Sequence, residues 1–262
     1  MEGSIHEAAR AVERMDEYLH ATLEEERLWK NNEYMNKRKS GEPFSLRDHV
    51  FAMVYAMLGS ERVSTGLDAK KTKIEAIFFD FDPVQLINAS PEALVAELKH
   101  NKCANRRIKF QMQALGKNIK KLQEFETIHG DIDTYYRKII DADGFKDLVR
   151  RLSDSRSEDK MLELGVPLVS EYLRFLGYDV PKPDRHIRRI LGSERLACSE
   201  AKTVPLFDTY DIVAQLADET NKTSAEIDYI LWAYCANKYG EICTAEPKCG
   251  ECTAKEFCKA EA

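Results

Sequence analysis

Lys160-MLELGVPLVSEYLRFLGYDVPKPDRHIRRIL-Gly192 is the stretch on which the fold turns. Its first half reads as two helices joined by a tight turn, with Gly165 at the turn and Leu168, Tyr172, Leu173 and Leu176 at helical spacing. Backbone N–H groups at the start of the second helix, from Gly165, Val166 and Leu168, can hold a phosphate without reading any base. Two packed helices with no ligand would show the same pattern. The second half sets Asp184 after Pro183 and ahead of a basic helix, Arg185 to Leu191. An aspartate in that position caps the helix by accepting backbone N–H bonds and complements the helix dipole.

Working outward, the chain yields helices and no convincing strands. Ser45-Leu46-Arg47-Asp48 has the form of a capping box, followed by apolar residues from Val50 to Leu58 and a stop at Gly59. Ser90-Pro91-Glu92 opens a helix to about His100, with a cap, a proline at the first helical position and an acid in the first turn. Further helices are predicted over 106–125, 132–140, 145–152, 168–176, 185–191, 206–219 and 225–239. Alternating β-branched runs with hairpin turns are missing, so the fold class is all-α, with medium-length helices and short connections.

The last twenty residues hold Cys243, Cys249, Cys252 and Cys258 within Ile242-CTAEPKCGECTAKEFC-Lys259. Disulfides require an oxidising compartment, and Arg10, Arg14 and the run Glu24-Glu25-Glu26 interrupt every apolar stretch that a secretory signal would need. Structural zinc usually takes two C-x2-C-like pairs across a longer loop, whereas here one such pair sits between two single cysteines. Four thiolates in one short loop can also wrap a 4Fe-4S cubane, the reading favoured here, with zinc as the alternative. Cys103, Cys198 and Cys235 read as small core residues.

A chain of 262 residues, 44% hydrophobic, can bury a substantial core, and it has no apolar run long enough to span a membrane. The expectation is a cytoplasmic protein. A formal net charge of -6 hides segregation. Residues 1 to 30 carry eight acids and four bases, whereas residues 181 to 195 carry five bases and two acids. The local field therefore matters more than the sum. Arg106, Arg107 and Lys109, then Lys117, Lys120 and Lys121, recur along one predicted helix, and such a run is usually a solvated face. Glu17-x-x-His20 and Glu97-x-x-His100 have the spacing of di-iron bundle ligands, but both lie in polar surroundings without the further glutamates such a site needs.

In their order along the chain, these parts resemble the helix-hairpin-helix DNA glycosylase superfamily, in particular its endonuclease III-like branch with a C-terminal 4Fe-4S loop. The family's Val-Asp-Thr-His-Ile-x-Arg segment is matched by Pro183-Asp184-Arg185-His186-Ile187-Arg188-Arg189, and its Pro-x-Cys-Gly-x-Cys by Pro247-Lys248-Cys249-Gly250-Glu251-Cys252. Departures are visible. The first cysteine spacing is five residues where six is usual, and Leu164-Gly165-Val166-Pro167 lacks the second glycine of the usual hairpin. The Schiff-base lysine of bifunctional members falls near Val169 or Ser170, neither of which is an amine.

The resemblance implies a two-lobed fold. Residues 1–44 form an N-terminal extension of the terminal lobe, 45–180 a helical barrel domain with the hairpin near 160–177, and 181–262 a C-terminal lobe with the cluster loop at 243–258. It implies a monomer that flips a damaged or mispaired base out of duplex DNA and hydrolyses its N-glycosidic bond, with weak or no lyase activity. Asp184 is the catalytic carboxylate beside the deoxyribose. Gly165, Val166, Leu168, Arg185, Arg188 and Arg189 contact DNA, Arg62 fills the gap left by the base, and Phe51 or Tyr55 lines the base pocket. A noncatalytic iron-sulfur DNA-binding protein and an iron-sulfur electron carrier are the alternatives.

Overall fold

The computed structural model describes residues 2–29, 33–59 and 69–260, with side chains from residue 5 onward. Helices make up its regular structure, and no strand occurs among the described residues. In chain order they are α1 (Glu2–Thr22), α2 (Glu33–Lys39), α3 (Leu46–Leu58), α4 (Lys71–Ile77), α5 (Pro83–Asn88), α6 (Pro91–His100) and α7 (Ile108–His129). There follow α8 (Ile132–Asp143), α9 (Phe145–Ser153), α10 (Val166–Phe175), α11 (Arg185–Ile190), α12 (Asp208–Thr220) and α13 (Ser224–Cys235). The chain divides into a middle unit, Glu33–Tyr178, and a terminal unit made of Met1–Asn32 and Asp179–Ala262.

In the middle unit α3 is apolar on every face from Val50 onward, and it is buried from His49 to Leu58 apart from the half-buried Phe51. The expected capping box starts it: Ser45 accepts from Asp48 N, and Asp48 accepts from Ser45 N at 2.8 Å. This helix packs on α10 and α7, and α7 in turn packs on α5, α6 and α8. Residues 33–44, expected with the terminal lobe, group with this unit because Arg38 reaches into it. Its Nε donates to Leu176 O at 2.5 Å and its Nη2 to Asp133 at 2.8 Å, and its guanidinium stacks over Tyr178 and Phe44. Between α4 and α5, Phe79, Asp80 and Phe81 all take positive φ, a left-handed turn that nothing in the sequence announced.

The terminal unit is built on α1, whose Ile5, Ala8, Val12, Met15 and Leu19 form one buried stripe against α12 and α13. That stripe has helical spacing. Its small alanines hid it in a region where no motif was evident. The last helix, expected to reach Tyr239, stops at Cys235. Ala236 N turns back to Trp232 O at 2.8 Å, Lys238 takes a positive φ, and Gly240 packs against the Tyr234 backbone.

Candidate nucleic-acid interface and cysteine loop

The hairpin of the middle unit differs from the sequence reading in one respect. Its first helix, α9, ends at Ser153, and residues 154–165 form a series of turns before α10. Asp154 ends the helix because its carboxylate binds the Arg156 backbone at 2.9 Å and the Arg156 guanidinium at 2.7 Å. The chain then doubles back, with Met161 N donating to Leu152 O at 3.0 Å. The buried Asn118 clamps Leu162 on both its N–H and its C=O, at 2.8 and 2.9 Å. Glu163 sits beside it at φ 61, paired to Arg107 at 2.6 Å. Lys160 is half-buried, its Nζ donates to Leu164 O at 2.5 Å, and burial lowers its pKa.

Gly165 is the N-cap of α10 and offers no side-chain cap, and Pro167 stands in the first turn. Gly165 is exposed, with Val166 and Leu168 half-exposed. Leu168 N–H is already spent on Gly165 O at 2.9 Å, so of the three predicted phosphate donors it is the one engaged internally. A Cβ added at Gly165 would meet nothing within 4 Å, so no atom of the protein demands a glycine there. Val169 and Ser170, where an amine nucleophile was sought, are fully buried. Phe51 and Tyr55 belong to an aromatic cluster with Tyr34, Phe81 and Phe175, with ring centroids as close as 4.5 Å. Arg62 lies outside the described residues. Along α7, Lys109, Lys117 and Lys120 are exposed, whereas Lys121 pairs with Glu124 at 2.7 Å.

In the terminal unit Asp184 is the N-cap of α11, as expected. Its Oδ1 accepts from His186 N at 2.7 Å and Ile187 N at 3.2 Å. Its Oδ2 accepts no hydrogen bond among the described residues. Lys182 N, two residues earlier, is fixed by the buried Asp228 at 2.8 Å. Burial lowers the His186 pKa, against the Asp184 charge. The three arginines of this helix part ways. Arg185 is exposed, but Arg188 Nε donates to Val204 O at 2.6 Å and Arg189 Nη2 to Cys243 O at 3.0 Å. Arg188 and Arg189 thus tie the helix to neighbouring loops, a half-buried role that the sequence had not separated from DNA contact.

That last bond leads to the cysteine loop. Cys243 is buried and Cys249, Cys252 and Cys258 are half-exposed. Cys252 Sγ accepts from Tyr234 OH at 3.4 Å, and Cys258 Sγ from Ala260 N at 3.4 Å. A hydrogen bond from the buried Cys235 thiol lowers the pKa of Cys243, with Arg195 and Arg189 adding to the effect and burial opposing it. Burial raises the pKa of Cys258, and the charges of Cys243 and Cys252 add to this. Among the described residues, no three His, Cys, Asp or Glu side chains converge into a ready-made metal site, and this includes the two E-x-x-H pairs. Glu17 instead pairs with Arg14 at 2.9 Å. Arg189 Nε and Arg195 Nε are buried N–H donors with no acceptor. Sequence reasoning missed Cys235 and Arg195, which lie 8 and 48 residues before Cys243 and belong to no spacing motif.

No protein-family model matches this chain, and no curated protein matches it. Among solved structures it is similar to the 8-oxoguanine glycosylase/lyase of Methanocaldococcus jannaschii, determined in complex with a 15mer DNA containing 8-oxoguanine. The two are 17% identical, with a TM-score of 0.56 over 85% of this chain and 95% of that one. The all-helical fold is thus shared with that glycosylase/lyase.

Proposed function

We propose that this chain is a DNA glycosylase of base-excision repair, of the endonuclease III-like kind, that hydrolyses the N-glycosidic bond of a damaged or mispaired base flipped out of duplex DNA. The observation that carries the proposal is the held carboxylate of Asp184, one oxygen clamped by two backbone N–H groups and the other unbonded. Departure of the base builds positive charge on the deoxyribose. A fixed carboxylate beside that sugar stabilises the charge and orients a water for attack, without reorganising during the reaction. The exposed hairpin turn at Gly165 and Val166, with Arg185 and the exposed lysines of α7, supplies sequence-independent phosphate contacts.

The enzyme is monofunctional in this reading. Buried Val169 and Ser170 offer no amine, and Lys160 Nζ is held by Leu164 O. Cys243, Cys249, Cys252 and Cys258 would hold a 4Fe-4S cluster, whose role is to tie down the C-terminal loop. What supports a sulfur-rich anionic group there is the pair of buried N–H donors left without acceptors on Arg189 and Arg195. Zinc is the alternative occupant.

The test is a panel of duplexes carrying alkylated, oxidised, deaminated or mismatched bases, 8-oxoguanine included, scored separately for base release and strand cleavage. Base release is expected on at least one duplex and is abolished by Asp184→Asn. Release that persists in that variant removes Asp184 from catalysis. A borohydride-trapped covalent complex with strand cleavage overturns the monofunctional reading, and loss of trapping in Lys160→Ala would then name the amine.

A further inference from the structure

Helix α7 carries more than the lysines already assigned to phosphates. From Arg106 to Gln123 the sequence holds six basic residues and no acid. Phe110, Gln113, Lys117 and Lys120 follow one another at three- and four-residue spacing, so they form one line along the helix, and all four are exposed. A lone phenylalanine that is 49% exposed needs no explanation, but this ring is held in place. The Arg107 guanidinium lies over it, 4.8 Å from its centroid, and the same guanidinium donates to Glu163 through Nη2 at 2.6 Å and Nε at 3.2 Å. Arg107 is thereby braced between the ring and the turn before α10, and it offsets the Glu163 charge. Leu162, one residue earlier in that turn, is 40% exposed although Asn118 fixes its backbone on both sides. Ile128, exposed at the far end of the same helix, lies instead beyond Glu124 and Glu126.

We propose that this face of α7 binds single-stranded DNA, with Phe110 as the platform on which an unpaired base stacks and Lys109, Lys117 and Lys120 holding the phosphates. Charge selects the partner, because a basic line without acids is complementary to a polyanion. The ring selects the strand. In a duplex the faces of the bases are covered by their neighbours, so a phenylalanine set among phosphate-binding lysines gains nothing from paired DNA. An unpaired strand exposes those faces, and stacking one base on an aromatic ring strengthens binding at least about fivefold. Stacking requires no base-specific hydrogen bond, so the surface has no marked sequence preference. The Arg107 brace fixes the ring before the strand arrives, which removes part of the ordering cost of binding. The choice of DNA over RNA rests on the glycosylase reading; the charge and the ring do not depend on it, nor on Asp184 or the cysteine loop.

The experiment measures binding of the full chain, by fluorescence anisotropy at fixed salt, to labelled probes of one length: oligothymidine, oligouridine, an abasic tetrahydrofuran strand with the same phosphates, and an undamaged duplex. Wild type is compared with Phe110→Ala, Phe110→Tyr, Lys117→Gln and Ile128→Ala. Wild type is expected to hold oligothymidine more tightly than the abasic strand. Phe110→Ala should weaken oligothymidine binding at least about fivefold and leave the abasic strand and the duplex unchanged. Phe110→Tyr keeps a ring and should bind as wild type does, and so should Ile128→Ala, which removes an exposed apolar side chain away from the basic line. Lys117→Gln should weaken every probe and make the salt dependence shallower. If Phe110→Ala fails to fold, Phe110→Leu, apolar without a ring, carries the comparison. Equal binding of oligothymidine and the abasic strand by wild type, or a loss in Phe110→Ala that is the same for both, overturns the inference, and tighter binding of oligouridine overturns the choice of DNA. Base release from lesion duplexes is scored on the same proteins. Release without single-strand binding overturns this inference alone, whereas Phe110-dependent binding without release from any duplex overturns the glycosylase reading alone.

Discussion

One oxygen of Asp184 is committed to His186 N and Ile187 N, so the cap and the chemistry proposed for this residue are separable by substitution. Asparagine is as good an N-cap as aspartate, whereas alanine gives up about 1 kcal/mol. Asp184→Asn should therefore unfold within a few tenths of a kcal/mol of the wild type in urea, and Asp184→Ala about 1 kcal/mol lower, with base release lost in both. Equal stability of all three proteins would mean that the cap contributes nothing. Gly165 gives the complementary case. Its φ is -84 and an added Cβ meets nothing in the protein, so Gly165→Ala should leave stability within about 0.5 kcal/mol of wild type. A phosphate seated on the Gly165 and Val166 N–H groups would meet that Cβ. Duplex binding should fall several-fold for lesion and undamaged DNA alike, as read by fluorescence anisotropy at fixed salt. Unchanged binding would remove this turn from the interface.

At the scale of elements, the loop between α11 and α12 is held by backbone closeness as well as by its buried Leu196, Cys198 and Val204. Gly192→Ala forces the Lys202 carbonyl away and should cost about 2 kcal/mol, seen as a lower urea midpoint with an unchanged slope. A midpoint equal to wild type would show that the loop yields freely. The reach of each contact along the chain explains what the sequence made legible. Ser45 with Asp48, Ser90 with Pro91, and Asp184 are local devices, each completed within one turn, and the structure contains all three caps. Cys235 and Arg195, 8 and 48 residues before Cys243, both lower the pKa of its thiol, and only the turn after α13 and the loop after α11 bring them near. The left-handed Phe79–Phe81 turn has no glycine or asparagine to mark it. The helix expected over 145–152 stands at Phe145–Ser153, but the expected start of the hairpin, near 160, is too late, because Asp154 and Arg156 form a helix stop that the sequence reading did not use.

Across the whole molecule, the fold class followed from helical periodicity, but the allotment of residues 33–44 did not, since it depends on where Arg38 finds Asp133, Leu176 and Tyr178. Behind Asp133 lies a polar chain within the core of the middle unit. His49 is fully buried, its Nδ1 lies 2.6 Å from Tyr172 OH, and Tyr172 OH lies 3.0 Å from Tyr136 OH. Burial lowers the His49 pKa to about 4, an effect that nearby Arg38 reinforces and Asp133, Asp48 and Asp131 oppose. The imidazole is thus neutral in the folded protein, while in the unfolded chain it takes up a proton below about 6.5. Between about 6.5 and about 4 the unfolded state binds more protons, so stability is fully present above that window and falls as pH falls through it. The shift corresponds to about 3 kcal/mol over the full window. Urea unfolding should therefore weaken between pH 7 and pH 5, before the ordinary carboxylate range is reached. His49→Gln should flatten that interval even if it lowers stability overall. A wild-type stability that stays level from pH 7 to pH 5, or a variant with the same slope, would count against a neutral histidine at the centre of this core.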